Sequence, residues 1–392
     1  MTNITSVSEV TLNKQKNYDF KIHIFNNIDD PHLASAWRKI QKENNYFPQS
    51  YYEWCSPWWR YYRSSRELYV IAVCDKDNNI VGIAPLCIEK HFVFRILRSF
   101  PIHFGDFYTF LIEKGDNYSE ILNMIINHIL SFAQWDLVYL QQINSEDPIY
   151  KFLLDKKFIS KKITDIIIAN LEGKTFEQYM QGLSQNRKDI IKKKRRRLER
   201  DFKVDLIAIN NAKDYYAYFD IMKRIYEKRW SDYDAKLLSD DYYKMRNTVM
   251  NALFEAKCMA FYLLKANTDV IAYQLGFIFE NTFYTWKEAF NPSYAYYSPG
   301  QLIKVYMIED LIERGFKRIN FMAGAYDWKA TLAADKKITT NYALFFGKHS
   351  LKGWLLLRYY TKWRDIGKKI YNSVVKPVLR RILIVARRIK QK

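Results

Sequence analysis

Residues 270–333 read VIAYQLGFIFENTFYTWKEAFNPSYAYYSPGQLIKVYMIEDLIERGFKRINFMAGAYDWKATLA. The strongest local signal is Ser298-Pro299-Gly300. Serine suits the N-cap, proline suits the first helical position, and Gln301 is placed to close a capping box with Ser298. The spacing predicts a helix to about Arg314, with Ile303, Met307 and Leu311 on one stripe and Gly315 as a left-handed stop. Free N–H groups and the positive dipole end at Ser298–Gln301 would form an anion site, with Lys304 one turn on. Gly300 would let a phosphate approach without a Cβ in the way. An ordinary helix start also uses Ser-Pro-Gly.

Three strand-like runs precede that helix: Cys258–Lys265, Val270–Phe279 and Thr282–Phe290. Asn267-Thr268-Asp269 and Glu280-Asn281 join them as hairpin turns, and Lys317–Met322 reads as a strand beyond the helix. A dinucleotide-binding unit would need G-x-G-x-x-G directly after a parallel strand, and none is present. The first half reads as a weaker copy. Leu68–Cys74, a turn at Lys76–Asn79 and Ile80–Ile88 are followed by strands near Phe92–Leu97 and Phe107–Ile112. A helix from Tyr118 to about Phe132 and a strand at Asp136–Gln141 complete it. Its helix opens on Lys114-Gly115-Asp116, where the acid disfavours a phosphate.

The expected class is α/β (α+β), with tandem domains that are each a mixed, mainly antiparallel sheet flanked by helices. Residues 1–170 would be a domain with a degenerate cofactor site, 171–349 the cofactor domain, and 350–392 a basic amphipathic tail.

In order and spacing these pieces resemble the large GNAT-like acyltransferases of the CelD type, relatives of the FemABX peptidoglycan aminoacyltransferases. The resemblance covers roughly residues 35–340 and rests on Trp54…Trp58-Trp59, Val81-Gly82-Ile83-Ala84-Pro85-Leu86 and the arginine-rich run Arg187–Arg200. Lys228-Arg229-Trp230, Ala272…Gly276, Ser298-Pro299-Gly300 and Asn320-Phe321…Gly324…Trp328-Lys329 complete it. It implies an acyl-CoA co-substrate, no metal, and direct attack of an amine, sometimes a hydroxyl, on the thioester. Such attack needs a base, a donor to the thioester oxygen and an acid for the leaving thiolate.

The resemblance places cofactor contacts at Ser298, Gly300, Gln301 and Lys304. Glu288 is the candidate base, in the strand before the turn; on strict alternation it shares a face with Trp286, opposite Lys287. A surface carboxylate is the alternative for Glu288. Tyr326 and Asp327 are candidates for the acid or an acceptor contact, and Lys329 for a phosphate or carboxylate contact. Arg229 and Trp230 either shape the acceptor pocket or pack a helix. The chain departs from the family pattern at Ala325 and Tyr326, where an Asp/Glu pair is common, at Trp328 for tyrosine and at Asn320 for aspartate.

The net charge of +20 is local rather than general. Nine Lys/Arg fall in Arg187–Arg200 and thirteen after Ser350, leaving the remainder close to neutral. The first run, with Arg187 and Arg195, reads as a clamp for a CoA phosphate, a sugar nucleotide or a lipid-linked acceptor, or else as a solvated face. The tail mixes Trp354 and Trp363 with cations and is split by Pro377. It suggests a helix lying on an anionic membrane surface; tRNA is the alternative partner, and no DNA partner is expected. Cys55, Cys74, Cys87 and Cys258 form no Cys-x-x-Cys pair and read as reduced core residues; the histidines form no metal pattern. No signal peptide is visible in residues 1–20, so the expected location is cytoplasmic, peripheral at the inner face of the membrane.

The sequence therefore favours transfer of an acyl, most simply acetyl, group to an amine of a cell-envelope or polysaccharide precursor. A FemABX-like aminoacyl-tRNA-dependent transferase and a non-catalytic membrane-associated scaffold are the alternatives.

Overall fold

The computed structural model describes residues 20–102, 104–131, 134–230, 240–324, 327–370 and 373. The strands are β1 (Lys21–Phe25), β2 (Arg66–Leu68), β3 (Val70–Cys74), β4 (Ile80–Ala84), β5 (Leu86–His91), β6 (Phe94–Ser99), β7 (Leu111–Ile112), β8 (Leu137–Asn144), β9 (Ile159–Asn170), β10 (Val204–Ile209), β11 (Met259–Ala266), β12 (Asp269–Phe279), β13 (Thr282–Phe290), β14 (Arg318–Ala323) and β15 (Lys336–Gly347). The helices are α1 (Pro31–Glu43), α2 (Tyr52–Tyr62), α3 (Tyr118–Leu130), α4 (Pro148–Asp155), α5 (Phe176–Gln181), α6 (Gln185–Asp201), α7 (Ala212–Ala217), α8 (Phe219–Trp230), α9 (Asp240–Glu255), α10 (Pro299–Glu313), α11 (Asp327–Leu332), α12 (Leu351–Arg358) and α13 (Arg364–Ile370).

In the second half, β11, β12 and β13 form an antiparallel meander, α10 crosses over, and β14 returns parallel to β13. The turn between β12 and β13 puts Glu280 and Asn281 at φ 47° and 53°, the left-handed pair that a tight hairpin needs. Alternation along β11 sends Phe261 and Leu263 to one core and Tyr262 and Leu264 to the other. Helices α5, α6 and α10 cover the second of these cores. The first half repeats this topology, with β5 and β6 antiparallel, then α3, then β8 parallel to β6.

One sheet of 11 strands runs through both halves in the order β10-β11-β12-β13-β14-β9-β15-β8-β6-β5-β2. Its centre is a reciprocal exchange. β9 of the first half pairs with β14 of the second, β15 of the second pairs with β8 of the first, and β9 and β15 pair with each other. The expected boundary at residues 170 and 171 falls at the end of β9, which is hydrogen-bonded along both edges.

Two sequence expectations are corrected in the first half. The strand read at Ile80–Ile88 is two strands broken at Pro85, with β4 in a separate sheet of four and β5 in the large sheet. Proline has no N–H for the ladder, so the chain changes sheet there. The strand expected at Phe107–Ile112 shrinks to Leu111–Ile112, because the preceding loop turns toward the centre of the molecule. Helix α12 packs Leu356 and Leu357, with Tyr360, on Tyr139 and Phe345 of the first-half sheet. Pro377 lies outside the described residues. Among those residues no helix is long and apolar enough to cross a membrane.

Candidate active site

β13 and β14 pair only from Thr282 to Tyr284 against Arg318 to Asn320. Beyond that they part, and both strands have local reasons to turn away. On β13 the register shifts opposite Gln274–Gly276, so Trp286 and Lys287 together oppose Leu275 as a bulge. On β14 the chain enters the left-handed region at Met322 (φ 57°), whose N–H is held by Asn320 Oδ1 at 2.8 Å. The result is a wedge at the N-terminal end of α10.

The bulge corrects the alternation reading. Trp286 does not share a face with Glu288. It packs on Trp54, Phe104 and Phe277, with centroids 5.1, 5.6 and 5.4 Å away. Glu288 turns to the α10 side and forms an ion pair with Lys304. Lys304 is buried, donates to Gly300 O at 2.6 Å, and lies 4.3 Å from the centroid of the Trp328 ring.

The expected capping box is absent. Ser298 has φ 57° and its side chain makes no cap bond. Its N–H is given to Ala295 O, and the Gln301 N–H to Ser298 O, so these donors are not free for an anion. Gly300 is closely packed: a Cβ there would sit 3.0 Å from Phe290 Cδ1, so the ring would have to give way slightly.

Positive charge gathers at this helix end by another route. Ser184 caps α6, and Arg187, Ile191, Lys194 and Leu198 form its inward stripe against α10. Gln301 Oε1 accepts from Lys194 Nζ at 2.9 Å and from Arg187 at 3.4 Å. Arg187 is 8% exposed, yet its Nε and one terminal nitrogen have no hydrogen-bond partner among the described residues. Burial pushes its guanidinium below the ordinary value. Lys194 is lowered by burial and then by Arg187 and Arg197. Arg187 and Lys194 converge on a single amide oxygen and Arg197 adds its charge to Lys194, an arrangement that an anion would relieve.

Further charges line the wedge. Asp106, from the loop before β7, accepts the Ala323 N–H at 3.3 Å, and its backbone oxygen is held by Asn341 of β15. Burial raises its carboxyl above the ordinary range, while Ala323, Lys287 and Lys329 oppose the shift. Lys329 is buried and donates to Ala323 O at 2.7 Å and Met322 O at 3.2 Å. Burial brings its ammonium down to about 8, against the pull of Asp106 and Glu288. Lys287 is lowered by burial as well, with Asp106 opposing. Asp106 was not among the residues singled out from sequence. Its only signal is a lone acid in the aromatic loop Phe104-Gly105-Asp106-Phe107.

The remaining candidates scatter. Arg195 is tied to Glu199 and Glu309, both at 2.8 Å, and lies over Tyr306. Arg229 is exposed at the end of α8, 5.0 Å from the Phe290 ring centroid. Trp230 ends that helix. Asp327 is exposed in the first turn of α11, and Tyr326 lies outside the described residues.

A meander, a crossover helix and a parallel strand splayed over a wedge define an acyltransferase fold of the GNAT type. Consistent with that geometry, residues 185–330 match the family model for the acetyltransferase (GNAT) domain. Among solved structures it is similar to the C-terminal domain of a putative lysylphosphatidylglycerol synthetase from Agrobacterium fabrum, with TM-score 0.53 and 10% identity over 83% of this chain and 94% of that one. It is also similar to L-PGS from Bacillus licheniformis, with TM-score 0.50 and 13% identity over 84% and 95% of the two chains. FemX gives TM-score 0.49 and 11% identity over 82% and 96%. No curated protein sequence matches.

Proposed function

We propose that this protein is an N-acyltransferase that takes an acyl group, most simply acetyl, from acyl-CoA and passes it to an amine of a cell-envelope or polysaccharide precursor. The observation that carries this reading is Arg187, a buried guanidinium at the N-terminus of α10 with two nitrogens that have no partner among the described residues. A CoA phosphate would satisfy those nitrogens and separate Arg187, Lys194 and Arg197 electrostatically. The wedge between β13 and β14 then leads from that end of α10 toward Glu288, Asp106 and Lys329.

In this scheme the acceptor amine attacks the thioester carbonyl. Its N–C bond forms as the C–S bond breaks, and the amine's proton passes to a carboxylate. Glu288 is the base of first choice and Asp106 the second. The thiolate leaves with a proton from Lys329. An ammonium near 8 is close in acidity to a thiol at about 8.5, so that transfer is nearly thermoneutral. The basic tail favours a phosphate-bearing or lipid-linked acceptor at an anionic membrane surface. The solvent face of α6, with Lys192, Lys193, Arg196 and Arg200 exposed, favours a second reading in which aminoacyl-tRNA is the donor.

Thermal stabilisation by acetyl-CoA, longer acyl-CoAs and bulk tRNA tests the choice. A midpoint that rises with acyl-CoA supports the reading. A rise with tRNA alone, lost at high salt, replaces it with the second. No rise with either leaves the fold as a scaffold.

A further inference from the structure

We infer that the hairpin tip Phe92-Val93 and the outer face of α12 form one docking face that inserts into the surface of an anionic phospholipid bilayer. The inference rests on the membrane-surface part of the reading above and not on the donor. Phe92 is 106% exposed and Val93 64%. His91 pairs with Phe94, so these two residues are the whole turn between β5 and β6. Phe92 has φ 53°, a position where two-residue hairpins favour glycine or asparagine. A large aromatic side chain here costs twice, in backbone strain and in exposed apolar surface. Neither cost serves the fold.

Helix α12 lies against this tip, because Lys352 Nζ donates to Val93 O at 3.1 Å. Its inner side is occupied by the first-half sheet, while Leu351, Trp354, Trp363 and Ile366 are exposed around it. In an uninterrupted α-helix, residues nine apart fall on opposite sides. The π-helical segment Tyr359–Trp363 alters that phase, and the Trp354 and Trp363 rings meet at 6.1 Å. Lys352, Arg358 and Lys362 alternate with these apolar groups, and Arg358 lies 5.7 Å from the centroid of a Trp354 ring. Interfacial tryptophans, an apolar tip and interspersed cations complement an acidic headgroup layer over acyl chains. The positive charge argues for that occupant over a second copy of the same cationic face.

The test uses the full chain and vesicles of phosphatidylcholine alone or mixed with phosphatidylglycerol, with sedimentation as the readout. The protein should bind the mixed vesicles, more weakly as salt rises. Phe92→Asn should lower the partition coefficient about tenfold, from the lost aromatic burial, while its melting point stays level or rises. The Phe92→Cys variant, labelled with an environment-sensitive dye while the native cysteines are buried, should shift to the blue on mixed vesicles. Wild-type binding by Phe92→Asn, equal binding to neutral vesicles, or an unshifted dye would overturn the inference. So would a solution dimer that Phe92→Asn dissolves with no change in vesicle binding. In any of these cases the acyl-CoA stabilisation would still stand or fall separately.

Discussion

Replacing Arg187 by methionine should change the free and ligand-bound protein in opposite ways. Methionine keeps the unbranched stem and removes the guanidinium, two of whose nitrogens are buried without partners among the described residues. An unpaired buried polar group costs about 1–3 kcal/mol, and the remaining bond to Gln301 is long at 3.4 Å. The ligand-free variant should therefore be more stable by about 2 kcal/mol, a rise of a few degrees in melting point. A hydrogen bond to a charged group contributes about 1.5–3 kcal/mol, so the acetyl-CoA Kd should weaken about 10- to 150-fold. At acetyl-CoA near 1,000 times the wild-type Kd, the wild type gains about 4 kcal/mol. A variant with Kd raised about 30-fold gains only about 2 kcal/mol. Melting curves recorded across a CoA titration should thus converge from an initial gap. A variant that is less stable without ligand, and whose CoA shift equals that of the wild type, would refute both the unpaired-charge argument and the phosphate site.

Glu288→Gln should lower kcat by about 10²–10⁴, with the fold checked by melting; an unchanged kcat would move the base to Asp106. Lys329 is protonated in both folded and unfolded chains at neutral pH, so the native state bears its full burial cost there. Between about 8 and 10.5 the unfolded chain holds more protons, so stability should rise with pH by up to about 3 kcal/mol. Denaturant midpoints at pH 7 and pH 10 should show that rise, and Lys329→Met should reduce it to the part that the buried Lys287 contributes. Gly276→Ala should cost about 3 kcal/mol in a chemical melt, because a Cβ would lie 2.2 Å from Phe283 Cζ and 2.6 Å from the Tyr284 carbonyl oxygen.

The meander and α10 were legible because their signals are local. Alternation fixes β11–β13, and Gly315, at φ 75°, stops the helix where expected. The capping box failed because Ser298 ends the preceding 3-10 turn and takes a left-handed conformation, from which its side chain makes no cap bond. Strict alternation failed at the Trp286–Lys287 bulge, although an isolated glycine inside a strand, Gly276, is a known mark of such a site. Arg187 was legible as a clamp candidate from its charge run, but its burial depends on how α6 lies against α10. Asp106 was out of reach: it meets Ala323 across 217 residues of sequence, through a loop with no periodic signal.

The exchange of β9 and β15 has a consequence for the order of events during synthesis. When the first 170 residues have left the ribosome, β8 still lacks β15 and β9 lacks both β14 and β15. Three strand edges near the middle of the future sheet, one of β8 and both of β9, stay open until β14 and β15 are made, and open edges invite pairing with the wrong chain. A gene cut at the apparent domain boundary would then yield two fragments that each need the other. The two halves look like repeats, but they mature as a single unit.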